Sequence, residues 1–358
     1  MTPKNNDSLN KQEKAALKHL TPTKIIIPVT LGVIVLVYLT WKDFDANFLK
    51  EIQWNYHTLF WTSVAVLLVL FRHLILSYRL RMLTGNFLSW LKSIELMFLW
   101  EFSSAISPTS LGGSIVAFFL LSKEKLKAAR TTTVVLYSIV LDTMFFAIVV
   151  PILYLWMGAS WIRPGAHSFA DLGGWGWSLL AFYVFMTLYG AFFFSGVFLH
   201  PELIKRFLVW VTGMKWLKKY RPNAIKTGDD VVLASKKLKG KSTRFHLSVL
   251  GATALGWISR FLILNALIIA LVPGTSLEFL SQSVLLGRSV AIYLFMAFMP
   301  TPGSSGIAEF IFDGFLSDYI PTGLSMIVAS LWRLLSYYFY LLAGVVIIPL
   351  WLKRVLKR

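Results

Sequence analysis

The 358-residue sequence predicts an all-α integral membrane protein, with six spanning helices and two re-entrant helical hairpins arranged as an inverted repeat. Three observations carry that prediction. The chain is 56% hydrophobic and 15% aromatic with a mean hydropathy of +0.66, values of a polytopic membrane protein and not of a soluble domain. Two breaks, Pro-Thr-Ser-Leu-Gly-Gly-Ser at 108–114 and Met-Pro-Thr-Pro-Gly-Ser-Ser-Gly at 299–306, interrupt long apolar stretches. Proline and glycine at that density stop a helix, and inside hydrocarbon the freed backbone is tolerated only against protein or a wet cavity. Third, the basic residues cluster between the apolar runs, where they set orientation.

A net charge of +18 would point to nucleic acid in a soluble chain. Here it reads as cytoplasmic loops against anionic lipid. The absence of cysteine excludes disulfides, thiolate metal sites and cysteine nucleophiles.

In chain order, residues 1–24 form a polar, basic cytoplasmic tail (Lys4, Lys11, Lys14, Lys18, Lys24) without secretory features. A span needs roughly 20 apolar residues. A first membrane half, 25–200, places spans at 24–41, 57–78, 131–157 and 176–200, with a re-entrant segment at 87–121. A basic cytoplasmic connector covers 201–246. The second half, 247–352, has spans at 247–272 and 322–352 around a re-entrant segment at 277–316, and a tail follows at 353–358.

Charge decides how the broken segments run. The first is flanked by Arg79, Arg81 and Lys92 before it and by Lys123, Lys125, Lys127 and Arg130 after it, so both flanks belong inside. The second has Glu278 in front and Asp318 behind, so both flanks belong outside. Hairpins dipping from opposite faces follow, with both termini in the cytoplasm. Two ordinary pairs of short spans are the alternative, but the arms after the breaks are too short to cross about 30 Å at about 1.5 Å per residue.

The breaks superpose without gaps at an offset of 192 residues: Ala105, Pro108, Thr109, Ile115 and Phe118 fall on Ala297, Pro300, Thr301, Ile307 and Phe310. The same offset carries span 57–78 onto 249–270 and span 131–157 onto 323–349. Inverted repeats of this kind place a binding site at the midplane. In the connector, Leu203, Phe207, Trp210, Met214 and Leu217 recur at helical spacing with lysines opposite. This predicts an interfacial helix on anionic headgroups or a docking surface for a separate lipid-modifying enzyme.

At these residues the chain resembles the lysylphosphatidylglycerol synthase transmembrane, flippase-like family. The matching elements are Gly112-Gly113 followed by a basic stretch, the Pro-x-Pro-Gly-x-x-Gly-x-x-Glu pattern from Pro300 to Glu309, and Arg333 entering the last span. The resemblance implies lipid translocation in a cytoplasmic membrane without aminoacyl transfer, since no transferase domain follows. It departs at Ser114, where the family usually carries an acid, and at Asp142-Thr143, where it favours an acid–arginine pair.

Each arm after a break starts a helix whose free N–H groups suit a lipid phosphate. The candidate phosphate-binding set is Thr109, Gly112, Gly113, Ser114, Pro300, Thr301, Pro302, Gly303, Ser304, Ser305 and Gly306; the hydroxyls also suit capping alone. Intramembrane charges cost ~2.5–3.5 kcal/mol each and face the interior or water. They are Glu95, Glu101, Asp142, Arg260, Arg288, Glu309 and Arg333, whereas Arg72 lies nearer a cytoplasmic end, where it can snorkel. The offset sets Arg333 beside Asp142 and Arg288 beside Glu95, which predicts pairing between the halves. A serine nucleophile at Ser304 or Ser305 would make the chain an intramembrane enzyme, but it needs a base, and the only deep histidine is His73. No phosphate loop or metal cluster is visible. The sequence therefore predicts a carrier for an anionic or aminoacylated lipid, with no cofactor, no metal, no catalytic residue and no nucleic-acid partner.

Overall fold

The computed structural model describes residues 54–107, 112–299 and 307–356, and every element among them is helical. The predicted tail and first span, residues 108–111 and 300–306 of the two breaks, and residues 357–358 lie outside the described residues. Helix α1 is Tyr56–Leu83, and Asn55 caps it by accepting the Thr58 N–H at 3.0 Å. A turn through Gly85 and Asn86, both at positive φ, leads to α2 (Trp90–Ile106). Helix α3 (Gly112–Lys123) returns beside α2, and α4 (Ala128–Met157) runs the full depth of the molecule. At 30 residues α4 is about 45 Å long. It ends where Gly158 adopts positive φ and donates its N–H to the Tyr154 carbonyl.

Helix α5 (Gly173–Phe194) packs back along α4 and closes in a π-helical turn, Ser195–Leu199. The connector is a helical pair, α6 (Pro201–Val211) and α7 (Arg221–Lys239). Leu203, Phe207 and Trp210 are exposed on α6. The predicted amphipathic run through Leu217 is shorter than expected, because the helix stops at Thr212-Gly213 and Met214 and Leu217 fall beyond it. Helix α7 approaches α6 closely at Gly228, where a Cβ would lie 3.0 Å from the Lys205 Cα.

Helix α8 (Thr243–Leu271) packs along α1, then α9 (Phe279–Ala297) is followed by α10 (Ile307–Leu316) beside it. Helix α11 (Thr322–Arg333) continues through a π-helical turn, Leu334–Tyr338, into α12 (Phe339–Leu356). Among the described residues, six helical stretches are long and apolar enough to cross a membrane: Tyr56–Leu83, Ala128–Met157, Ala170–Leu199, Thr243–Leu271, Phe279–Ala297 and Gly323–Val355. The set differs from the sequence prediction. Phe279–Ala297, expected as one arm of a re-entrant segment, has by itself the length and apolarity of a span.

Ion pairs close both hairpins at their bases. Lys92 at the start of α2 bonds Glu124, just past α3, at 3.0 Å, and Arg354 near the end of α12 reaches Glu95 at 2.7 Å. In the second hairpin, Arg288 on α9 pairs with Asp318, just past α10, and donates to the Ser160 carbonyl beyond the end of α4. The two bases thus lie at opposite ends of α4. The face at the α2–α3 base also carries the basic connector and Lys353. The loops at the other face carry Asp171, Glu278 and Asp318 against Arg163.

The apolar interior divides accordingly. One cluster, with Trp161, Leu267, Val290 and Phe315, fills the acidic end. Another, with Leu96, Leu121, Val134 and Trp351, fills the basic end.

Candidate functional site

Between these two cores lies a cavity of about 220 Å³. Its wall includes the residues that flank both breaks, with Ser104, Ala105, Ser107 and Ser114 from the first hairpin and Met296, Ala297 and Met299 from the second. Glycine permits the approach of the arms: a Cβ on Gly113 would lie 2.9 Å from the Ser104 Cα and 1.8 Å from its Oγ. Gly113 is therefore a packing residue of the hairpin tip. Ser114 faces the cavity in the first turn of α3.

Four arginines and two carboxylates line the same space: Arg72, Arg79, Arg260, Arg333, Glu101 and Asp142. Helix α1 presents Arg72, Leu76 and Arg79 on one stripe, at i, i+4 and i+7. Arg72 is buried and bonds Glu101 of α2 at 2.9 Å and the Tyr340 hydroxyl of α12 at 2.7 Å. Arg79 bonds Asp142 of α4 at 2.6 Å and the Thr253 hydroxyl at 3.1 Å, while the Trp257 indole N–H donates to the same carboxylate at 3.1 Å. Such charge-assisted contacts hold their partners more strongly than neutral hydrogen bonds. Arg260, one turn along α8 from Gly256, lies over the rings of Tyr293 and Trp257 at 5.4 and 6.0 Å. Arg333 lies over Tyr337 at 4.6 Å, at the start of the π-helical turn that also brings Ser336 and Tyr337 to the cavity. Local π turns of this kind recur at functional sites.

The structure thus brings together Ser114, Glu101, Asp142, Arg260 and Arg333 from the sequence-selected residues. It separates Glu95 and Arg288, which clasp the two hairpin bases. Pairing between the halves through the 192-residue offset is corrected: Asp142 takes Arg79, Glu95 takes Lys92 and Arg354, and Arg288 takes Asp318. Each acid has a nearer base on an adjacent helix, so register equivalence does not become contact. Thr109, Pro300, Thr301, Pro302, Gly303, Ser304, Ser305 and Gly306 lie outside the described residues, and Glu309 is placed only by its backbone in α10. His73, the histidine expected to lie deep, holds its Nε2 3.2 Å from the Ile94 carbonyl and lies against Phe98 with ring centroids 3.7 Å apart and planes tilted by 30°.

Sequence reasoning missed Arg72, Arg79, Tyr293 and Tyr340. Arg72 does not snorkel but turns inward. The missed signal was the seven-residue spacing of two arginines on one helix face, which marks an inward polar stripe.

Comparison with known proteins agrees with this architecture. The chain is 24% identical over 332 residues to a UPF0104 membrane protein of Archaeoglobus fulgidus, an alignment covering 90% of this chain and 94% of that protein. No solved structure matches. Residues 25–344 match the family model described as the lysylphosphatidylglycerol synthase TM region. With nearly the whole chain matched and six helices able to cross a bilayer, this multi-pass membrane protein belongs to the lysylphosphatidylglycerol synthase TM region family.

Proposed function

We propose that the protein carries a polar lipid between the leaflets of the cytoplasmic membrane, and that it does so as a carrier and not as an enzyme. The observation that supports this reading is the arginine-lined cavity beside residues that flank both breaks, between two apolar cores. Arginine matches a phosphate with a planar fork of donors, and a site at mid-depth is where alternating access needs it. The family name, which couples these domains to a phospholipid, points the same way. In this reading the two hairpins are re-entrant and dip from opposite faces as halves of an inverted repeat. The basic connector lies on anionic headgroups of the cytoplasmic leaflet, with both termini on that side. Its exposed Leu203, Phe207 and Trp210 then sit at the acyl boundary.

The test is reconstitution of the full chain into vesicles and measurement of transbilayer movement of labelled phospholipids. Movement well above protein-free vesicles is expected, falling about tenfold in Arg333→Gln, the effect of losing one charge-assisted contact. A rate equal to that of empty vesicles would remove the proposal.

A further inference from the structure

Charge in the cavity is unevenly neutralised. Glu101 is occupied by Arg72, and Asp142 by Arg79 together with the Trp257 indole. Arg260 has no carboxylate within ion-pairing distance among the described residues; only the faces of Tyr293 and Trp257 lie against it. Aromatic quadrupoles attract a guanidinium but do not cancel its charge. An arginine held between apolar cores, with Glu101 acting on it only beyond ion-pairing distance, is a standing cost, and an arriving anion lowers it.

We infer that the lipid taken by this cavity has a net negative headgroup whose phosphate meets Arg260, and that lysylphosphatidylglycerol is disfavoured. The inference rests on the lipid-carrier reading and narrows it. Phosphatidylglycerol carries one negative charge, on its phosphate. Lysyl esterification adds two ammonium groups and makes the headgroup a net cation. Inside this cavity such a headgroup finds both described carboxylates already ion-paired and meets the unpaired Arg260 guanidinium. It therefore gains nothing for its amines and is repelled at close range. A phosphate, in contrast, gains a planar donor fork, with Arg72 near enough to add to the field. The aromatic rings beside Arg260 supply a wall for the glycerol and ester region of the lipid.

Binding tests this apart from transport. The full-length protein in detergent is equilibrated with equal amounts of phosphatidylglycerol, phosphatidylcholine and lysylphosphatidylglycerol, and the retained lipid is read by native mass spectrometry. Phosphatidylglycerol is expected to exceed the lysylated lipid about tenfold, a ratio set by one charge-assisted contact. Arg260→Gln is expected to erase the preference and Arg260→Lys to keep part of it. If Arg260→Gln fails to fold, the selectivity of the natural chain decides alone. Equal or greater retention of lysylphosphatidylglycerol overturns the inference, as does undiminished selectivity in a folded Arg260→Gln. Displacement by glycerol phosphate, a headgroup without acyl chains, would reassign the site to a soluble anion and overturn the lipid. Selective binding without movement in vesicles would sink the carrier reading and leave this inference standing. Movement led by the lysylated lipid would do the reverse.

Discussion

The two halves of the molecule bring different chemistry to the same cavity. The first half supplies complete ion pairs: Arg72 with Glu101, and Arg79 with Asp142, the bases on α1 and the acids on α2 and α4. The second half sets arginines against rings, Arg260 over Tyr293 and Trp257, Arg333 over Tyr337 and Tyr338. Paired charges in low dielectric hold helices in a fixed relation, because losing either partner strands the other. Arg260, against aromatic faces and without an ion-pair partner among the described residues, keeps N–H groups available to a ligand. In the lipid-carrier reading proposed above, the Arg72–Glu101 and Arg79–Asp142 pairs are the frame of the site and Arg260 belongs to its binding wall.

That contrast breaks most readily at Glu101. Substituting Glu101→Ala leaves Arg72 buried with only the Tyr340 hydroxyl, a loss of about 3–5 kcal/mol for an uncompensated interior charge. Thermal unfolding in detergent should show a large drop, and the double variant with Arg72→Met should recover most of it. Arg260→Gln should leave the melting temperature unchanged or slightly raised, since it removes an unpaired interior charge without stranding another. Equal destabilisation by Glu101→Ala and Arg260→Gln would erase the distinction between frame and wall.

A smaller effect is expected at the first hairpin tip. Gly113→Ala drives a methyl group into the Ser104 side chain and within 2.9 Å of its Cα. The arms must separate, at a cost of about 1–3 kcal/mol for overpacking a tight contact. Because Ser104 and Ser114 line the cavity beside this contact, the variant should also slow lipid movement. Unchanged stability together with unchanged transport would mean the tip is looser than its packing implies, and that the cavity wall is not set by it.

The sequence made the helical architecture legible because apolar length is a strong signal: α1, α4, α5 and α8 each fall within a few residues of the expected spans. The ends of α2 at Ile106 and of α9 at Ala297 were legible from the Pro and Gly that follow, since those residues act through the backbone and need no partner. Which charge meets which was not. Asp142 was recognised as an interior acid, yet its partner stands 63 positions away on α1, and only the crossing of helices decides that. Arg72 was assigned to the interface because hydropathy sees depth along a helix but not the direction a side chain faces. Helix phase held that information, in the shared face of Arg72 and Arg79. The π-helical turn at Leu334–Tyr338 carries no sequence signal that the span pattern could have revealed.

The weakest expected effect sharpens the comparison at the molecule's ends. Arg354 and Glu95 join α12 to the base of the first hairpin with two short contacts, 2.7 and 2.8 Å. The Arg354 side chain is 40% exposed, and Lys92 already compensates Glu95 at 3.0 Å. Water and salt therefore screen most of the pair's Coulomb energy, leaving ~0.2–1 kcal/mol. Arg354→Gln should lower the melting temperature only slightly, and raising the salt concentration should shrink the difference between variant and natural chain. The Arg72–Glu101 pair has both side chains largely enclosed, at 6% and 16% exposure, so the Glu101→Ala deficit should persist in the same salt. A salt response of equal size at both sites would mean that bulk water reaches the central pair as freely as the rim. The cavity would then be an open vestibule and could not use desolvation to select a headgroup.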